Sequence, residues 1–126
     1  MDLHLKDKVA FITGGGRGIG KAEAIALIKE GAKVAINDLD AELAEKAVAE
    51  IIGIGGEAKE FVADVSDERA VKDMIEKVNA YFGEIDILVN NAGAGGKYWG
   101  KLVEDLPVES WDMIINTHLR STFLCS

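Results

Sequence analysis

The sequence predicts an α/β fold: a doubly wound parallel sheet, strand order 3-2-1-4, with helices on both faces. Three observations predict it. Short apolar runs alternate four times with segments of helical spacing. Gly31, Gly53 and Gly83 close the first three helical segments. The first apolar run ends in a glycine-rich turn that leads straight into a helix.

Val9–Thr13 reads as the first strand and Gly18 to Glu30 as the first helix, with Ala22, Ile25, Ala26 and Ile28 near helical spacing. Lys33–Asn37 is the second strand. Asp40 is placed to cap a second helix, along which Leu43, Ala47 and Ile51 recur every four residues. Ala58–Ala63 is the third strand. Ser66 is a candidate N-cap for the third helix, and Asp67 and Glu68 suit its positive first turn. Val71, Ile75, Val78 and Phe82 form its apolar face. Ile85–Val89, nearly all apolar, is a fourth strand of the kind buried on both faces. After a glycine-containing loop, Pro107 introduces a fourth helix from Val108 to the end.

With 126 residues, 48% hydrophobic and 29% charged, the expected organisation is one globular domain over residues 1–126. The net charge of −8 argues against a general nucleic-acid or anionic-membrane partner. No apolar run reaches the length of a membrane span. The opening M-D-L-H-L-K-D-K lacks the apolar stretch of a secretory signal, and Cys125 has no second cysteine to pair with. Both point to the cytoplasm.

The turn after the first strand is T-G-G-G-R-G-I-G, Thr13 to Gly20. Glycines permit a close backbone approach to a phosphate, and the N–H groups and positive end of the next helix face the anion. Gly14, Gly18 and Gly20 fit G-x-x-x-G-x-G. Gly15, Gly20 and Lys21 nearly fit a nucleoside-triphosphate loop, but Ala22 supplies no hydroxyl for its magnesium ion. A tight turn without ligand is the plain alternative.

Asp38 ends the second strand, inside I-N-D-L-D, where a dinucleotide site expects a carboxylate for the ribose hydroxyls of adenosine. The same charge repels a 2′-phosphate, so NAD is expected over NADP. Arg17 works against that preference, since it could pair with a phosphate. A loop acid is the structural alternative for Asp38.

Taken in order and spacing, T-G-G-G-R-G-I-G, Asp38, Asp64–Val65 and N-N-A-G at Asn90–Gly93 resemble the short-chain dehydrogenase/reductase family. The resemblance covers the whole chain. It implies a Rossmann-type, NAD(P)-dependent oxidoreductase of alcohols and ketones that assembles as a dimer or tetramer. It implies that Gly14, Gly16, Arg17, Gly18, Ile19 and Gly20 cradle the pyrophosphate. Asp64 and Val65 would flank the adenine, and Asn91 and Ala92 would lie by the ribose. Asn90 would tie strands together, and Asp64 could instead begin the cap of the third helix.

The family's proton relay uses a serine and a Tyr-x-x-x-Lys pair. Four residues after Tyr81 and Tyr98 stand Ile85 and Leu102, so the spacing fails. The chain is therefore expected to be truncated before that segment, with the far edge of its fourth strand bare and prone to self-association. The family's helix asparagine aligns with His118; Asn116 is two residues early and should point elsewhere. Trp111, Ile115, His118 and Thr122 share one face, which puts His118 inward or toward the cleft. His118 could hold a catalytic water in place of that asparagine, or simply bond a backbone carbonyl. Tyr98 and Trp99 could wall a substrate site or pack their loop down. A nucleotide-binding or interaction module without catalysis is the alternative to an enzyme.

Overall fold

The computed structural model describes residues 1–94 and 100–126; the expectations for Tyr98 and Trp99 lie outside the described residues. The chain runs β1 (Val9–Ile12), α1 (Gly18–Lys29), β2 (Lys33–Asp38), α2 (Ala41–Gly53), β3 (Glu57–Val62), α3 (Glu68–Phe82) and β4 (Ile87–Val89). A short 3-10 turn at Val103–Asp105 precedes α4 (Val108–Ile115), a π-helical turn at Asn116–Arg120 and α5 (Ser121–Cys125). The sheet has the predicted order β3-β2-β1-β4, and every pairing is parallel.

The alternation of side chains along a strand divides the core in two. Ala10, Ile12, Val34 and Ile36 face one side, where Ala24 of α1 and Ala47, Val48 and Ile51 of α2 cover them. Phe11 and Ala35 face the other, where Val71, Met74 and Val78 of α3 pack with Leu124 and Cys125 of α5. The central strands β1 and β2 are therefore buried on both faces and read as continuous apolar runs.

Several boundaries differ from the sequence reading. The cap of α3 is Asp67, whose carboxylate accepts the Ala70 N–H at 2.9 Å. Ser66 is already engaged: its N–H and hydroxyl both donate to Asp64 Oδ1. Gly53 is the last residue of α2, and the positive φ of 85° falls at Gly55. β4 is shorter than expected and its residues are half-buried, because β1 is its single neighbour among the described residues. Trp111 does not join a core; it is 58% exposed, as are Leu119 at 66% and Phe123 at 78%. No described helix is long and apolar enough to cross a membrane.

Candidate functional site

A cleft of about 580 Å³ opens at the carboxyl ends of the strands. In an open parallel sheet this end gathers loops whose side chains and free N–H groups are not consumed by the ladder.

The floor of the cleft is the junction of β1 and β4. Thr13 Oγ1 accepts the N–H of Asn91 at 3.1 Å and of Ala92 at 2.9 Å. The Asn91 side-chain amide donates to the carbonyls of Thr13 and Gly14 at 3.2 and 3.1 Å. Asn91 is thus the residue that joins the strand ends, the role expected of Asn90, while Asn90 is exposed and reaches Ser126 Oγ at 3.4 Å. The glycines match this close fit. Gly14 has φ of 63°, and a Cβ there would lie 2.9 Å from Ala92 Cα. A Cβ on Gly20 would meet Asn91 Nδ2 at 2.5 Å.

The amino end of α1 faces the cleft through Gly18 and Ile19. Its N-cap residue, Arg17, makes no side-chain cap bond, and its first turn holds no acid. By contrast α2 and α3 are capped by Asp40 and Asp67 and carry Glu42 and Glu68 in their first turns. The positive end of α1 is therefore left for an outside anion. The space above Gly18, whose φ is 56°, is open: a Cβ there would meet nothing within 4 Å. This fits a pyrophosphate.

Asp38 stands across from that helix end. Its Oδ2 accepts the Gly16 N–H at 3.0 Å and its Oδ1 the Asp40 N–H at 3.0 Å. Both bonds fix the carboxylate while leaving each oxygen a further lone pair for a hydroxyl donor. Gly16 itself does not line the cleft; it is buried beneath Asp38 and Leu43, where a Cβ would clash. Gly20 likewise supports the loop from below.

The third side is formed by Ala63, Asp64, Val65 and Ser66 after β3. Asp64 Oδ1 holds Ser66, so this acid shapes the turn into α3 as well as lining the cleft. Val65 is anchored in the α3-side core, which gives the wall an apolar, fixed surface.

The fourth side corrects two expectations. His118 is exposed and does not line the cleft; its ring lies against Gly93, with Nε2 2.9 Å from the Ala94 nitrogen and 3.0 Å from its oxygen. Asn116, expected to point elsewhere, lines the cleft with Met113 and Thr117. Met113, Asn116 and Thr117 stand at i, i+3 and i+4, one ordinary helix face, and that face rather than the one carrying His118 turns to the cleft; a π-helical turn begins at Asn116. His118 makes the main-chain contact that was its structural alternative.

Of the residues singled out from sequence, Gly14, Arg17, Gly18, Ile19, Asp38, Asp64, Val65, Asn91 and Ala92 line this one cleft. Sequence reasoning passed over Asn37, Leu39, Met113 and Thr117, and set Asn116 aside. Asn37 carried a usable signal, a polar residue in a strand otherwise buried on both faces. Among the described lining residues Arg17 is the one cation.

Known proteins share this fold. The chain is 45% identical over 126 residues to an uncharacterized oxidoreductase, YxbG, of Bacillus subtilis, a match covering 98% of this chain and 44% of that one. A 3-ketoacyl-(acyl-carrier-protein) reductase from Brucella melitensis, solved with NADH, superposes with a TM-score of 0.88 at 40% identity, over 96% of this chain and 48% of that one. A metagenomic short-chain oxidoreductase solved with NADP gives 0.87 at 35% identity, over 95% and 53%. The chain spans about half the length of the curated relatives it matches. The family model for short chain dehydrogenases matches residues 8–126, and the chain belongs to the short-chain dehydrogenase/reductase family of oxidoreductases.

Proposed function

We propose that this chain is the cofactor-binding part of an NAD(P)-dependent alcohol or ketone oxidoreductase, with NAD preferred over NADP. One observation carries the reading: an α1 terminus with no side-chain cap and the Asp38 carboxylate share one cleft. Gly14, Gly18, Ile19 and Arg17 hold the pyrophosphate, with Gly16 and Gly20 keeping the loop low enough for it. Asp38 accepts the adenosine ribose hydroxyls, Asp64 the adenine amino group, and Val65 packs beside the base. Asn91 and Ala92 lie by the second ribose. The bound nicotinamide supplies or accepts the hydride; the chain binds and orients it.

Neighbours solved with NADH and with NADP both occur, so the preference rests on the charge at Asp38. The relay serine and Tyr-x-x-x-Lys belong, in this reading, to the remaining half that the relatives' length supports. His118 takes no catalytic part; it supports the Gly93–Ala94 loop. The substrate is a small molecule bearing a hydroxyl or carbonyl carbon. The exposed Trp111, Leu119 and Phe123 favour a homo-oligomer, and the lone cysteine of these 126 residues favours the cytoplasm.

Calorimetry tests the reading. NAD should release or absorb heat on binding at millimolar or lower concentration, and NADP should bind more weakly. Folded protein that gives no signal with NAD overturns it. The non-catalytic alternative rests on the failed tyrosine–lysine spacing. NADH formation by the whole protein with a panel of secondary alcohols separates the two.

A further inference from the structure

We infer that Asn37 is a positioning residue for the adenosine end of the cleft, acting through the main chain at the end of β3; the inference rests on the dinucleotide reading above. Asn37 is 1% exposed and is the last fully buried residue of β2. Its neighbours Val34, Ala35 and Ile36 are apolar, as a strand covered on both faces requires. An asparagine there is a poor strand former and costs free energy unless its amide is bonded.

The amide is bonded. Asn37 Nδ2 donates to the carbonyls of Phe61 and Ala63, each at 3.1 Å, and lies 3.3 Å from Met74 Sδ. Two carbonyl partners fix the orientation, because Oδ1 in that place would be repelled. The last paired residues of β2 and β3 are Asp38 and Val62; Ala63 lies one residue on, and its N–H donates to the Asp38 carbonyl at 3.3 Å. The Asn37 side chain adds the second and shorter bond at Ala63, holding its carbonyl as well as its N–H, at the residue before Asp64 and Val65. On its other side the Asn37 carbonyl accepts the Gly15 N–H at 2.8 Å. One buried residue thus links the glycine loop to the wall assigned to adenine, next to the acid assigned to the ribose. A residue needed for packing alone would be met by leucine, which has similar volume and no polar atom.

The test is calorimetry of the whole protein with AMP, NAD and nicotinamide mononucleotide, on wild type and Asn37→Leu. For folded variant, the dissociation constants of AMP and NAD should rise about tenfold, the equivalent of one buried hydrogen bond. That of nicotinamide mononucleotide should stay within about twofold, since its contacts lie at the other end. Asn37→Ser, which keeps one short donor, should show the same split to a smaller degree and serves if the leucine variant does not fold. Unchanged AMP affinity in folded variants, or equal weakening of both mononucleotides, overturns the positioning role alone. Wild type that binds neither AMP nor NAD overturns the dinucleotide reading, and this role with it.

Discussion

The carboxylate of Asp38 accepts the Gly16 N–H at 3.0 Å, so the acid at the end of β2 is bonded directly to the loop at the end of β1. Charge and loop shape are therefore coupled. Asp38→Ala should remove repulsion toward a 2′-phosphate and also free Gly16. Two unit charges about 4 Å apart at an effective dielectric near 20 interact by ~4 kcal/mol, and ~1.4 kcal/mol is already tenfold. The expected outcome is a gain of at least about tenfold in NADP affinity relative to NAD, with weaker NAD binding in absolute terms. Paired titrations of the two cofactors measure it. An unchanged ratio removes Asp38 from its role.

Gly14 and Gly18 both have positive φ but differ in what surrounds them. Alanine at either costs about 1–2 kcal/mol in backbone strain. At position 14 the new methyl also presses on the main chain of Ala92, and at position 18 it meets nothing. Gly14→Ala should lower the denaturation midpoint clearly more than Gly18→Ala. Gly18→Ala should weaken NAD binding beyond its stability cost, since its methyl enters the space left for the anion. Urea unfolding and NAD titration of the two variants separate these effects.

His118 bonds the main chain of Ala94 from outside the cleft. His118→Ala should cost about 1 kcal/mol of stability, the net value of one hydrogen bond. Turnover of the whole enzyme should stay within several-fold. Asn116→Ala, which alters a side chain lining the cleft, should weaken NAD binding more than His118→Ala does. A collapse of turnover in His118→Ala with NAD affinity intact would restore the catalytic reading of this histidine.

Asp86 accepts the Val9 N–H at 2.9 Å and the Lys8 ammonium at 3.2 Å. These bonds, the main-chain one first, hold its carboxyl below the ordinary value of 3.8. A carboxyl lowered on folding stabilises the native state fully above its unfolded value; that stabilisation is lost as pH falls through the lower folded value. Asp86→Asn should therefore be less stable than wild type at neutral pH, and the two should converge in acid. Urea midpoints across that range decide it, and a gap that does not close in acid contradicts the assignment.

Local chemistry made most of the fold legible. Alternating apolar runs, the Asp40 cap and the terminal Gly83 act within a few residues, so strand order and helix placement could be read before any contact was known. The glycine loop, Asp38 and Asp64–Val65 were legible as candidates for the same reason: each stands at a strand end, and the structure gathers them around one cleft. Ser66 was misread because two adjacent residues could each cap α3, and the choice fell to a bond between Ser66 and Asp64.

What the sequence determined by itself is an alternating α/β chain with a glycine turn, an acid one strand later and a family resemblance that the comparisons support. Tertiary structure decided which polar atoms meet. Asn91 rather than Asn90 joins β4 to β1, Asn37 reaches the end of β3, and the helix after Pro107 turns the face of Met113, Asn116 and Thr117, not that of His118, to the cleft. These outcomes depend on partners tens of residues apart and on the angular position of each side chain. Periodicity is silent on the first, and for the second it tells which residues share a face but not what that face meets.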